Sequence, residues 1–178
     1  YTVTLTSAAM QVGAIYLNRN VPLASERETS CILPGTYVAE VRHPAVVNVL
    51  SPDFQLLPGA GEGTSDRAAT AEIWLGDGDV NRESDPTVIL SAKGTAVRNA
   101  ASFPFEATFT IGKNRAVPPT NSALPGSNPI CQQRIITPIA VDITPTNGGT
   151  LLLRVNPAAW FNTVDFSTLE SDQTPPLY

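Results

Sequence analysis

Along the first six residues apolar and polar side chains trade places at every step. In YTVTLT (1–6) Tyr1, Val3 and Leu5 stand against Thr2, Thr4 and Thr6; in MQVGAIYLN (10–18) Met10, Val12, Ala14 and Tyr16 stand against Gln11, Gly13, Ile15 and Leu17. A period of two sorts side chains onto the two faces of an extended strand, and no helix reproduces it. Both faces of the second segment are apolar, which predicts a central strand. The cleanest alternation comes later. TVILSAKGTAV (87–97), a short connector (98–102) and FPFEATFTI (103–111) read as a long hairpin, with Phe103, Phe105, Ala107, Phe109 and Ile111 on one face and Pro104, Glu106, Thr108 and Thr110 on the other. Such a greasy face demands an apolar layer opposite it.

The remaining segments continue the same grammar. Strands are predicted over 36–42, in VVNVL (46–50) and FQLL (54–57), and in RAATAEIWL (67–75), where Ala69, Ala71, Ile73 and Leu75 oppose Thr70, Glu72 and Trp74. RIITPIAVDIT (134–144), the NGG turn at 147–149 and TLLLRV (150–155) read as a second hairpin. Pro138 marks its first arm as an edge strand or a bulge. The one helical signal is NPAAWFN (156–162), with Asn156 placed to cap and Pro157 to open a turn or two. About nine to ten strands with frequent turn signals predict an all-β, two-sheet antiparallel β-sandwich carrying one short helical turn near the C-terminus. Residues 1–169 form a single domain in this reading, and 170–178 a mobile C-terminal tail.

Composition narrows the class. Charged residues are 15% of the chain and the net charge is −5. The only lysines are Lys93 and Lys113, and the arginines are scattered singly, so the basic stripe needed to neutralise phosphates is missing and no nucleic-acid partner is expected. No apolar run is long enough to predict a transmembrane segment. The chain begins at Tyr1 without a charged or apolar leader, which fits a leader removed earlier.

Cys31 and Cys131 are the two cysteines, too few for a structural zinc site with the single histidine. Two readings stand. A disulfide between them would close a loop of about 100 residues and contribute on the order of 4 to 5 kcal/mol in the chain-entropy model, or they are two separately buried thiols of a reduced protein. The acidic loop 76–86 carries Asp77, Asp79 and Asn81 at alternate positions, with Asp85 beyond, the spacing that gathers oxygens about a calcium ion. Against this, Arg82 and Val88 fall where an EF-hand loop needs Gly and Glu, and a solvated polar loop accounts for the same residues. Calcium is the only cofactor this pattern raises.

Candidate chemistry is otherwise sparse. His43, followed by Pro44, reads as a surface turn residue, and no nucleophile elbow accompanies it. Glu40, Glu72 and Glu106 each fall on a strand's polar face, where an exposed glutamate is ordinary. PGAGEG (58–63) has a phosphate loop's glycines but neither its Lys-Ser/Thr pair nor a following helix. Trp74 could offer an aromatic platform to a sugar, or it packs at a sheet rim.

TLTSA, CILPGTYVAEV, AEIWL, FPFEATFTIGKNR and LRVNPAAWFNTVDFSTL together resemble the uncharacterised β-sandwich surface lipoproteins exported by Gram-negative bacteria. The resemblance implies export, an all-β fold and no enzyme chemistry; the lipidated cysteine that precedes such domains is not in this sequence. Residues and resemblance together lead to the expectation of a non-enzymatic, extracellular or cell-surface structural or adhesive protein. Its partners would be further copies of itself or other surface proteins, and a free N-terminal YTVTLT strand would be the edge that pairs into filaments. The alternative is a secreted glycan- or calcium-binding module built on Trp74 and the loop of Asp77, Asp79, Asn81 and Asp85.

Overall fold

In the computed structural model residues 1–20, 36–76, 87–110, 135–171 and 177 are described. Their eight strands join into one antiparallel sheet: β1 (Thr2–Asn18), β2 (Tyr37–Val41), β3 (Ala45–Asn48), β4 (Glu62–Gly63), β5 (Ala68–Leu75), β6 (Val88–Arg98), β7 (Ala101–Thr110) and β8 (Ile135–Ile143). The all-β antiparallel class is as expected. The strand pairing, however, yields one continuous sheet in place of two separately bonded ones, because the two strands read over residues 1–18 are a single strand that every neighbour shares.

β1 keeps one apolar face along its whole length by breaking period. Val3 and Leu5, then Ala8, Met10 and Val12, then Ile15 and Leu17 all turn inward. The two steps of three residues coincide with register shifts between Leu5 and Ser7 against β6 and between Val12 and Ala14 against β5. A bulge inserts one unpaired residue and so transfers the following side chains to the opposite face. Alternation at fixed period therefore assigned Ile15 and Leu17 to the wrong face relative to Met10 and Val12. Gly13 makes the second bulge possible: a Cβ there would lie 1.8 Å from the Gly76 carbonyl oxygen, and the Gly76 N–H donates to the Gln11 carbonyl at 2.8 Å.

On one side β1 meets β3 along Ala9 to Val12 and β2 along Ile15 to Asn18; on the other it meets β6 along Thr2 to Met10 and β5 along Val12 to Asn18. Met10, Val12, Ile15, Ile73, Leu75 and Ile89 form the main core. A second cluster joins Leu17, Val38, Ala68 and Ala71, and a third joins Ala96, Phe105 and Phe166.

The β6–β7 hairpin forms as predicted, with Phe105 buried and Phe103 and Ala107 half-buried. Phe109 is an exception at 39% exposure, because the register shifts between Val88 and Leu90 and the buried position passes to Thr110. Asn99 and Ala100 connect the arms at φ 51° and 66°, the pair of left-handed residues that a two-residue hairpin of the right twist requires. Alanine pays for that conformation with a Cβ clash. Ala100→Gly should stabilise the fold by about 0.5–1 kcal/mol and raise Tm by about 2–4 °C; an unchanged or lower melting temperature would contradict the turn geometry.

β8 is an edge strand with Pro138 opposite a register shift in β5, as the proline signals. It pairs with β5, and residues 150–155 form no ladder with it. The expected second hairpin is absent because Leu153 and Val155 turn back onto the main core. Residues 54–57 likewise form no strand: Leu57 packs on the core while Phe54 and Leu56 are exposed. The NP signal is realised as a 3-10 turn, Pro157–Ala159, with the Asn156 side chain accepting from the Ala158 N–H at 3.0 Å. A second turn, Phe166–Thr168, is capped by Asp165. Among the described residues no helix is long and apolar enough to cross a membrane.

Candidate functional site

The open feature of the fold follows from how β1 is partnered. Among the described residues its first residues bond to β6 on one side only, since β3 covers the other side no further than the bond from the Val49 N–H to the Ala8 carbonyl, 2.9 Å. Successive residues of a strand turn their N–H and C=O groups to alternate sides, so residues 2–7 present main-chain donors and acceptors along a bare edge. A groove of about 530 Å³ lies there. It starts where β3 gives out at Leu50, passes Leu5, Thr4 and Val3 to Tyr1, and is walled opposite by Pro157, Ala158, Phe161 and Val164. Asn156 and Asn162 supply its polar points.

The far wall is held by its own aromatic plug. Phe166 is 1% exposed, with ring centroids 5.0 Å from Phe105 and 5.2 Å from Tyr1. A polar clamp closes the Tyr1 end. The Tyr1 hydroxyl donates to Asp165 Oδ1, which also accepts from the Ser167 hydroxyl at 2.6 Å and the Ser167 N–H at 3.0 Å. Arg98 stacks 4.5 Å from the Tyr1 ring centroid and donates to the Ser167 hydroxyl at 3.1 Å. Hydrogen bonds from Ser167 and Tyr1, with the nearby Arg98 charge, push the Asp165 carboxyl down to about 2.

A second cluster lies at the opposite end of β1, on the face turned away from the core. Tyr16 stands opposite Glu40 on β2 and Glu72 on β5, and Asn18 opposite Tyr37 and Thr70. Trp74, Tyr16 and Tyr37 form a run of rings across three strands, with centroids 5.6 and 4.9 Å apart. Burial and the adjacent glutamates raise the pKa of Tyr16, and burial together with the charge of and hydrogen bond to Glu72 raises that of Tyr37 strongly. Glu40 pairs with Arg42 at 3.0 Å.

No family model matches the chain, nor does any curated protein or solved structure.

The residues singled out by sequence divide in three. Trp74 is described: it is half-buried and packed edge-on against Tyr16. The disulfide of Cys31 and Cys131 and the metal loop of Asp77, Asp79, Asn81 and Asp85 lie outside the described residues. So does most of the tail, of which Leu177 donates its N–H to the Ser171 hydroxyl at 2.9 Å. His43 is exposed, as a turn residue would be, and Glu106 pairs with Lys93 on the surface at 2.9 Å. Glu72 departs from expectation. It is fully buried, on a central strand, β5, whose residues are buried on both faces. The groove itself was not legible, since it depends on which side of β1 remains unpaired; only the apolar positions of PAAWF and VDF hinted at a wall.

Proposed function

We propose that the protein is a non-enzymatic extracellular or cell-surface component, structural or adhesive in role, that assembles by accepting an extended segment of a second copy along residues 2–7 of β1. The single observation that carries this reading is a strand edge that no described residue pairs, with an apolar groove beside it. An added strand would gain main-chain hydrogen bonds from the edge, and its alternate side chains would enter the groove between Leu5, Phe161 and Val164. The other long edges support the choice by being guarded. β7 carries Pro104 and β8 carries Pro138, and a proline withdraws a donor from an edge. The N-terminal strand is thus not free, as first expected, but half of it remains receptive. A two-layer arrangement belongs to the same proposal, since the burial of Thr70 and Glu72 on the face away from the core is what a covering layer would produce.

Ala158→Trp tests the reading by filling the groove from its exposed wall without touching the core. Light scattering coupled to size exclusion should show concentration-dependent oligomers of the native protein and only monomers of the variant, with thermal melting unchanged. A native protein that stays monomeric at roughly 100 µM, well above the weak-affinity range of small interfaces, or a variant that assembles equally well, would reject it.

The aromatic run of Trp74, Tyr16 and Tyr37 favours one secondary reading, a glycan platform, because an aromatic face suits the apolar face of a sugar. Quenching of tryptophan fluorescence on a glycan panel, retained in Trp160→Phe and lost in Trp74→Phe, would support it.

A further inference from the structure

Glu72 poses a problem of charge that its neighbours, the hydrogen-bonded Tyr37 among them, do not neutralise. It is 0% exposed, as is Asn18 beside it on β1. The Asn18 Nδ2 group donates to Glu72 Oε1 at 3.3 Å, yet the remaining oxygens, Glu72 Oε2 and Asn18 Oδ1, are buried without a hydrogen-bond partner among the described residues. No basic side chain forms an ion pair with Glu72 there either; Arg42 is taken by Glu40. Two buried acceptors side by side, one of them a carboxylate, repel each other unless something positive or a donor lies between them.

The surroundings add further oxygens and no nitrogen or sulfur ligand. Thr70, 3% exposed and directly across from Asn18, donates its hydroxyl hydrogen to the Asn20 carbonyl at 2.9 Å, so its Oγ1 lone pairs and the second lone pair of that carbonyl remain. We infer that Glu72, Asn18 and Thr70, with the Asn20 carbonyl, form an oxygen-only site for a hard cation of the calcium class, flanked by Tyr37 and Tyr16. Carboxylate, amide, hydroxyl and main-chain oxygens are the ligands such a cation takes, and the paired strands β1 and β5 hold the side chains at fixed register. The site uses a single carboxylate, and no group of three or more acidic, histidine or cysteine side chains that could hold a metal occurs among the described residues. Its residues are not those of the acidic loop containing Asp77 and Asp79, and it does not depend on assembly through β1.

Terbium(III) provides a local probe, because Tyr16, Tyr37 and Trp74 stand close enough to pass excitation energy to a lanthanide bound at Glu72. On titrating the full chain, we expect sensitised emission that calcium displaces, and a Tm rise of about 5–10 °C at 100 times the dissociation constant. Glu72→Gln keeps the shape and the bond from Asn18 while removing the charge; binding should weaken roughly tenfold or more and the calcium dependence of Tm should vanish. In a variant with Asp77→Asn and Asp79→Asn the signal should persist. If Glu72→Gln does not fold, Asn18→Asp serves: a second carboxylate should tighten calcium binding and lower Tm in chelator. Absence of emission and of any Tm shift would mean that a buried water or a proton satisfies the two acceptors, and would overturn the inference. A signal that survives Glu72→Gln, one that is lost only in the loop variant, or an unchanged affinity in Asn18→Asp would overturn it equally.

Discussion

Gly13→Ala is expected to cost about 4 kcal/mol or more and to leave little folded protein at 37 °C, out of a total stability of roughly 5–15 kcal/mol. The added Cβ would fall 1.8 Å from the Gly76 carbonyl oxygen and 2.9 Å from its carbon. Neither atom can yield, since the Gly76 N–H is bonded to Gln11 and Gly76 directly follows β5. Relief requires undoing the bulge, and a one-residue slip would send Ile15 and Leu17 out of the core. Gly148→Ala is the control: its φ is 74° but nothing lies within 4 Å of the added atom, so it should cost only about 1 kcal/mol. Urea denaturation of both variants measures the difference. A Gly13→Ala protein within about 1 kcal/mol of the parent would show that the close approach at the bulge is dispensable.

Phe166→Ala should carry the next largest penalty, about 3–5 kcal/mol, the usual cost of deleting a buried ring that its surroundings cannot replace. Phe166 touches Tyr1, Phe105 and Phe161, so it joins the C-terminal turns to both β1 and the β6–β7 hairpin. Its loss should also loosen the wall formed by Phe161 and Val164, so the proposed self-association should fall together with stability. Phe166→Leu, which restores most of the volume, should recover most of both. Thermal melting and light scattering on the same samples give the two readouts. Full stability in Phe166→Ala would mean that the C-terminal segment is not anchored through this ring.

Much of this arrangement could be read from the chain. The β6–β7 hairpin, the edge position of Pro138 and the capped turn at Asn156 all rest on local rules of period, donor loss and side-chain capping, and they hold in the fold. Errors cluster where the period breaks. Residues 1–18 looked like two strands because the period breaks after Leu5, and only the pairing with β6 and β5 shows that this break and the one at Gly13 are bulges within a single strand. Thr150 to Val155 alternates like a strand, yet an extended chain becomes one only when a neighbour offers its edge, and β5 had already taken β8. For Glu72 the difficulty was of another kind. Its place between Thr70 and Trp74 marks a polar face, but whether a polar face meets water or another layer is not a property of the strand.

Sequence alone determined the class of backbone, the turn between β6 and β7 and the cap at Asn156, and, between bulges, which side chains share a face, because these depend on neighbours a few residues apart. Tertiary structure decided which edges stay bare, which carboxylate is buried and where a groove opens, because each of these arises only when segments distant in the chain compete for the same partners.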